Sequence, residues 1–493
     1  MTTLQARTGW APTPFPGRGR SLAAEISVVA FFLIFYTNLA VVLTRVHGVP
    51  EIVASGFAIL LLVPLGRHLV LERQPLVVTP TLPLVFAFLA ALFLAAALTS
   101  EPDAASQAVD LYLTEGLGLY LLVSNAVRTT RMLTLVTWTA ITAASLMGGL
   151  SLFQELTQTY ANDYGGFAQV DKLAEISSGE VQRPRLGGPL GSENRYAQVL
   201  AVLLPLALIR FFREPSRRLR LAAGVASLLI LSGIMLTFSR GTAVAVAATL
   251  VLMVLLREIR LRHLLVSVGV LTAVVAVMVP DYVVRLRSLE GVTALSSEST
   301  ENAPDSALVG RQTENLAAWK TFLDHPVIGV GPGVYFREYS RDYANRLGLR
   351  YLRSERRGHS LYLEMAADLG IVGLGAFLAM VGTTLALVYR RARYWRPRDP
   401  ERAMLASSFL FALFAYLASA TFLHLSYQRF FWVLLALATS VVWALRQEEG
   451  ADAGGVSVVG GAGAAGGDGD HLAKVRAPLE RSGKHRRETT TRM

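Results

Sequence analysis

The sequence predicts an all-α polytopic membrane protein, with about 12 transmembrane helices by hydropathy and a large extracytoplasmic loop carrying short amphipathic helices. Three observations predict it. Of 493 residues, 53% are hydrophobic and only 17% charged, with a mean hydropathy of +0.43; a soluble chain of this length carries more surface charge. The apolar residues fall in blocks of about 20, the length that crosses a hydrocarbon core of roughly 30 Å. Arginines recur in alternate connectors between those blocks, which is the distribution that orients membrane helices.

The elements follow in order. Residues 1–20 form a polar, proline-rich arm without the short apolar core and small-residue cleavage site of a removed signal peptide. Spans are expected near 24–44, 50–70, 81–99, 107–126, 132–155, 193–212, 219–237, 241–257, 263–280, 361–389, 404–424 and 427–445. The fourth is the weakest, because Asp110 and Glu115 lie inside it. Arg67 and Arg73 mark the second connector, Arg128 and Arg131 the fourth, Arg210 to Arg220 the sixth, Arg257 to Arg262 the eighth and Arg390 to Arg402 the tenth. The even connectors and both termini are therefore expected in the cytoplasm, and the long connectors 156–192 and 281–360 outside it. The membrane domain spans 21–445. Residues 446–493 are Gly/Ala-rich and then basic, a composition that cannot bury enough to order itself, and are expected to be a disordered cytoplasmic tail.

Composition also excludes. With no cysteine, disulfides, thiolate catalysis, iron–sulfur clusters and Cys-based zinc sites are all ruled out. The net charge of +11 sits mostly in connectors beside apolar blocks and accompanies no nucleic-acid-binding motif, so no nucleic-acid partner is expected. No paired-acid or HExxH metal motif occurs in the outer loops.

Four outward stretches carry candidate chemistry. "RPRLGGPLGSENRYAQ" (183–198) brings Arg185 and a glycine-rich turn to a helix start at Asn194 and Arg195, where exposed N–H groups favour anions. An ordinary glycine-rich loop with a cap explains it equally well. In "LTFSRGTAVAVAATL" (236–250), Ser239, Arg240 and Gly241 form a short outer turn, and an arginine so near hydrocarbon is costly unless paired or hydrated; the plainer reading is snorkelling. "VGRQTENLAAWKTFLDHPVIGVGPGVYF" (309–336) places Leu316, Trp319 and Leu323 on one stripe of a helix beginning near Gly310 and ending before Pro326. Such a helix would lie on the membrane surface and cap the bundle, with Arg311 in its first turn against the dipole. "RGHSLYLEMAADLGIVGLGAF" (357–377) sets His359 at the head of a span, able to exchange a proton near neutrality, with Ser360 as a helix cap. Taken alone this histidine reads rather as an interfacial residue that merely caps or packs. Together the stretches bring arginine forks, which match phosphate bidentately, and one imidazole to a single membrane face.

From Arg185 to Gly373 the chain resembles the O-antigen ligase and O-antigen polymerase superfamily of bacterial membrane glycosyltransferases. The "SRG" turn, "GR" before a Trp-bearing helix, "HPVIGVGPGVY" and the His-led span with "LG" and "GLG" carry the resemblance by their order and spacing. Ser360 stands where many relatives have Asn, Asp368 where many have Glu, and the low-complexity tail is outside the family pattern. The resemblance implies an undecaprenyl-diphosphate-linked glycan donor, a glycan acceptor and neither metal nor cofactor. Arg240 and Arg311 would hold the diphosphate with Arg185, and His359 would be the catalytic base. It implies an enzyme in the bacterial cytoplasmic (inner) membrane, its site facing outward, with a flippase and a chain-length regulator as partners beside the membrane lipid. Polymerisation of a surface polysaccharide such as O-antigen or exopolysaccharide is the first expectation. Ligase-type transfer of a finished glycan to a lipid or protein shares its donor and site. A lipid-linked sugar flippase or transporter, whose sites lie near the bilayer midplane, is the alternative from another class.

Overall fold

The computed structural model describes residues 21–52, 56–174, 183–262, 265, 269, 306–348, 351–424 and 428–461. The chain divides into two units, Phe15–Gln447, and Met1–Pro14 with Glu448–Met493. The second is described only as the far end of the last helix, which runs on to Gly461 beyond the start expected for the disordered tail. All else below concerns the first.

It is mostly helical. Seven described helices are long and apolar enough to cross a membrane: α3 (Thr81–Leu98), α6 (Thr130–Thr157), α7 (Glu193–Arg213), α8 (Arg217–Leu236), α12 (Leu361–Trp395), α13 (Pro400–Ser419) and α14 (Gln428–Gly461, crossing over Gln428–Gly450). The bent pair α1 (Leu22–Tyr36) and α2 (Leu39–His47) makes an eighth if taken as one span. Twelve were expected, and the difference has local causes. The second expected span is a composite run, Gly56–Leu71, of 3-10, α and π turns. The fourth is α4 (Pro102–Leu111) and α5 (Leu119–Ala126) joined by a π-helical segment, Tyr112–Gly118, that carries Glu115, while Asp110 is exposed on α4. α9 (Arg240–Leu255) has 16 residues, about 24 Å at 1.5 Å per residue. The ninth expected span, 263–280, lies outside the described residues but for 265 and 269.

Burial sorts the helices into layers. α7, α13 and α14 are 83%, 78% and 89% buried over their apolar windows and form the centre, whereas α3, α8 and α12 are 39%, 39% and 33% buried and present apolar faces outward. Phe86, Leu94, Val225, Leu228, Ile371 and Leu378 are exposed on those faces, as residues facing lipid tails would be.

Contacts gather the connectors at two opposite ends. At one, Arg131 pairs with Glu25 at 2.6 Å, and Arg128 donates to the Pro75 carbonyl at 2.8 Å. At that end Arg213 and Arg396 both pair with buried Glu258, to which Ser407 also donates. This is the end of the arginine-rich even connectors. At the other, Asn38, in the left-handed conformation between α1 and α2, donates to the Pro189 carbonyl at 2.9 Å and accepts from Arg429 at 2.7 Å. There too β1 (Gln169–Ala174) and β2 (Arg183–Gly188) form a small antiparallel hairpin that helical periodicity did not anticipate.

α12 is broken at Gly370, where φ is 62° and ψ −164°. The freed backbone groups are taken up by the loop at 326–331. Val330 and Gly331 N–H donate to the Ala367 and Asp368 carbonyls, and Ile371 and Val372 N–H donate to the Pro326 and Val327 carbonyls, all at 2.9–3.2 Å. Thr99 closes the far side by donating to the Val330 carbonyl at 2.6 Å. The "HPVIGVGPG" turn is thus a hook stitched into a broken span, which is how non-helical backbone is tolerated at membrane depth.

Candidate functional site

The hook sets the frame for His359. Just past the break toward the helix start, the Asp368 carboxylate accepts from Gly333 and Tyr335 N–H, both at 3.0 Å, tying to α12 the segment after the hook, which leads into α11 (Ser340–Arg346). One turn earlier Glu364 accepts from Arg357 at 3.1 Å, and the Arg357 guanidinium lies 4.6 Å from the Phe336 ring centre. His359 follows two residues after Arg357. Ser360 occupies the cap position, but its side chain makes no capping bond, contrary to the expectation from sequence. Instead the Leu361 N–H donates to the carbonyls of Ala420 and Leu423, in the turn between α13 and α14.

α10 (Ser306–Asp324) grips the histidine from the other side. It starts four residues before the expected Gly310, so Arg311 lies in its second turn, where the dipole opposes it less than the expected first-turn position would. Its end, before Pro326, is as expected. One turn after Arg311, Glu314 places Oε2 2.8 Å from His359 Nε2, and Asn315 Oδ1 accepts the His359 main-chain N–H at 2.8 Å. Glu314 is buried, its side chain 3% exposed, with Arg356 3.7 Å from its other oxygen. Sequence reasoning missed it. The available signal was an acid on the helix face opposite the Leu/Trp stripe.

That stripe points away from the protein. Thr313, Glu314, Ala317, Ala318 and Thr321 are buried, while Leu316, Trp319 and Leu323 are 42%, 43% and 49% exposed. The exposed row continues through Val327 to Ile371 and Val372 on the outer face of α12, joined by the hook's backbone bonds. An apolar row contiguous with a span's outer face fits a helix seated in the membrane interface. In lipid nanodiscs, the fluorescence difference between wild type and Trp319→Phe is expected to be quenched by brominated lipid; an unquenched difference would place Trp319 in water.

Arg185, Arg240 and their neighbours form a second cluster. Arg185 on β2 pairs with Glu193 at 2.6 Å, donates to the Thr237 carbonyl at 2.9 Å and reaches Asn194 Oδ1 at 3.4 Å. Asn194, at the start of α7 as expected, also accepts from Ser239 at 2.9 Å. Arg240, half-buried, is the first residue of α9 directly after Ser239. Arg185 therefore cross-links the hairpin to the ends of α7 and α8 beside the "SRG" turn. Gly241 packs against Phe422, where an added Cβ would lie 2.7 Å from that side chain, so this turn adjoins the same 420–424 segment that holds Leu361.

His424 in that segment connects the clusters. Its Nε2 lies 3.5 Å from Arg195 Nη2, and its ring centre is 6.5 Å from that of His359. Burial, with Arg357, Arg195 and His359 as neighbours, pushes His424 well below the ordinary histidine range, so it is a neutral acceptor facing Arg195. Arg195, Gln198, Tyr416 and His424 also line the polar side of a pocket whose apolar wall includes Val202 and Phe430. His424 carried the same signal as His359, an imidazole between two apolar blocks. The four expected residues thus lie at one end of the bundle, opposite the arginine-rich connectors. Contacts link Arg185 to the Arg240 turn and His359 to α10, which bears Arg311. Among the described residues, no group of three or more His, Asp or Glu is placed to hold a metal ion.

Residues 225–378 match the family model described as O-antigen ligase, which bears out the resemblance to the O-antigen ligase and polymerase superfamily. The matched stretch contains Arg240, Arg311, Glu314 and His359 and leaves out Arg185. No curated protein matches the chain.

Proposed function

From a chain whose residues 225–378 carry the O-antigen ligase pattern, we propose a membrane glycosyltransferase that polymerises a surface polysaccharide. It moves a glycan from an undecaprenyl-diphosphate-linked donor to a sugar hydroxyl at the extracytoplasmic face of the bacterial cytoplasmic membrane. The observation that carries this reading is His359, held between Glu314 and Asn315 at the bundle end opposite the arginine-rich connectors. The acceptor hydroxyl attacks the anomeric carbon while His359 removes its proton. The bond from that carbon to the diphosphate breaks, its electron pair leaves on the phosphate oxygen, and Arg240, Arg311 and Arg185 face the growing charge. The donor arrives activated, so the step needs no ATP. A flippase that delivers the donor and a chain-length regulator are the expected partners.

The test is turnover of a defined lipid-linked oligosaccharide by purified protein in nanodiscs. A ladder of longer lipid-linked glycans supports polymerisation. A single transfer to an added second acceptor replaces it with the ligase reading, and no transfer with either acceptor overturns both. In the same assay Arg240→Ala is expected to lower turnover by about 10²–10³-fold. Arg240→Lys is expected to recover only part of it, since an ammonium keeps the charge but not the two-pronged geometry. Equal activity of Lys and Arg would show that charge alone is used.

A further inference from the structure

We propose that Glu314 is a positioning residue that holds His359 as the tautomer protonated on Nε2, so that Nδ1 is the nitrogen that receives the acceptor's proton. This rests on the transfer reading above and names the atom that performs it. A neutral imidazole carries one N–H and one lone pair, and its partners decide which nitrogen has which. An ionised carboxylate only accepts. With Glu314 Oε2 2.8 Å from Nε2, the proton belongs on Nε2 and the lone pair on Nδ1. The two groups are at hydrogen-bond distance but not in line, a looseness common before substrate binds.

The second observation is Nδ1 itself. It is enclosed and, among the described residues, has no hydrogen-bond partner, as Glu314 Oε2 likewise has none in line. Burying a polar atom without a partner is unfavourable, and such atoms cluster where a ligand supplies what the protein omits. The grip is also two-handed. Glu314 holds the ring and the adjacent Asn315 holds the main chain of the same residue, so α10 sets both the place and the orientation of the imidazole. Glu314 in turn is seated by the Tyr335 hydroxyl on its own carbonyl, at 3.0 Å.

In the reaction the acceptor O–H bond breaks and its proton ends on Nδ1. The oxygen's electron pair forms the bond to the anomeric carbon, and the diphosphate departs with the pair of the old bond. The imidazolium left behind faces the Glu314 carboxylate, which stabilises it until the proton passes to solvent. Without the carboxylate the two tautomers lie close in energy, and a large share of molecules present an N–H where a lone pair is needed.

The experiment uses full-length protein in nanodiscs with ¹⁵N-labelled histidine rings, the His359 resonances being assigned by their loss in His359→Gln. Wild type is expected to show His359 protonated on Nε2. Glu314→Ala is expected to show a tautomer mixture and about a 10²-fold lower kcat, with the donor KM within a few-fold. Glu314→Gln, isosteric and uncharged, serves if the alanine variant does not fold and is expected to lose the tautomer preference too. Glu314→Asp is expected to restore both in part. A purely packing role for Glu314 would leave the ring resonances unchanged in folded variants. If His359→Ala is inactive while Glu314→Ala keeps wild-type resonances and kcat, this assignment falls and the base reading stands. If both variants are fully active, the base reading itself falls.

Discussion

His359→Ala is expected to lower glycan transfer by about 10²–10⁴-fold, the usual contribution of a positioned general base, with the donor KM changed by no more than a few-fold. The expectation is sharp because the fold tolerates the change. The Asn315 bond is made by the main-chain N–H of residue 359, which alanine keeps, and the imidazole is 30% exposed, so its removal opens no deep cavity. The cost that remains is Glu314, left buried without its partner, which lowers stability without unfolding a bundle of this size. Turnover of a defined lipid-linked donor, measured beside a melting curve of the same preparation, separates the two effects. A folded, fully active His359→Ala enzyme would remove the imidazole from the mechanism.

Gly370→Ala is expected to have the largest effect on stability, abolishing monodisperse protein or lowering its stability by more than about 3 kcal/mol. Two causes act together. At φ 62° and ψ −164° any side chain is strained, and an added Cβ would lie 2.3 Å from the Val327 carbonyl, which is backbone and already engaged with Val372. Gly329 is the reciprocal position, its φ 77° and its would-be Cβ 2.4 Å from the Asp368 carbonyl. Gly329→Ala is therefore expected to behave in the same way. Size-exclusion profiles and melting temperatures in detergent provide the measurement; near-wild-type values for either variant would show that the hook is not what holds the break. By contrast Gly375 and Gly382 on the same helix have open space around them, and alanine there is expected to be harmless.

What could be read from sequence follows the range of the forces involved. Apolar blocks with plain helical composition, such as those now seen as α3, α7 and α13, were placed within a few residues, because hydropathy acts locally. Blocks interrupted by special backbone were not. Nothing in "FFLIFYTNLAVVL" shows that Asn38 turns left-handed and bends the pair by 53°, since that bend depends on Pro189 and Arg429 far along the chain. The π-helical segment through Glu115 and the break at Gly370 were hidden for the same reason. At the site, arginine and histidine near an outer turn stood out as costly residues in costly places, and all four lie at one end. Glu314 did not stand out, because an acid on an amphipathic helix normally faces water. Only the inversion of that helix, with its leucines and tryptophan outward, turns the acid inward to His359.

The break in α12 has one more consequence. An unbroken helix of 35 residues would be about 52 Å long, far more than a hydrocarbon core of roughly 30 Å. Divided at Gly370, only the portion from Ile371 onward, roughly 37 Å at the same rise, has to match the bilayer. The hook bonds the carbonyls of Ala367 and Asp368 before the break and the N–H groups of Ile371 and Val372 after it, so Gly370 is a fixed joint. The short upper piece, held also by the 420–424 turn, is thereby released from the length that the bilayer dictates to the lower one, and the imidazole at its head stands at a height that the joint sets.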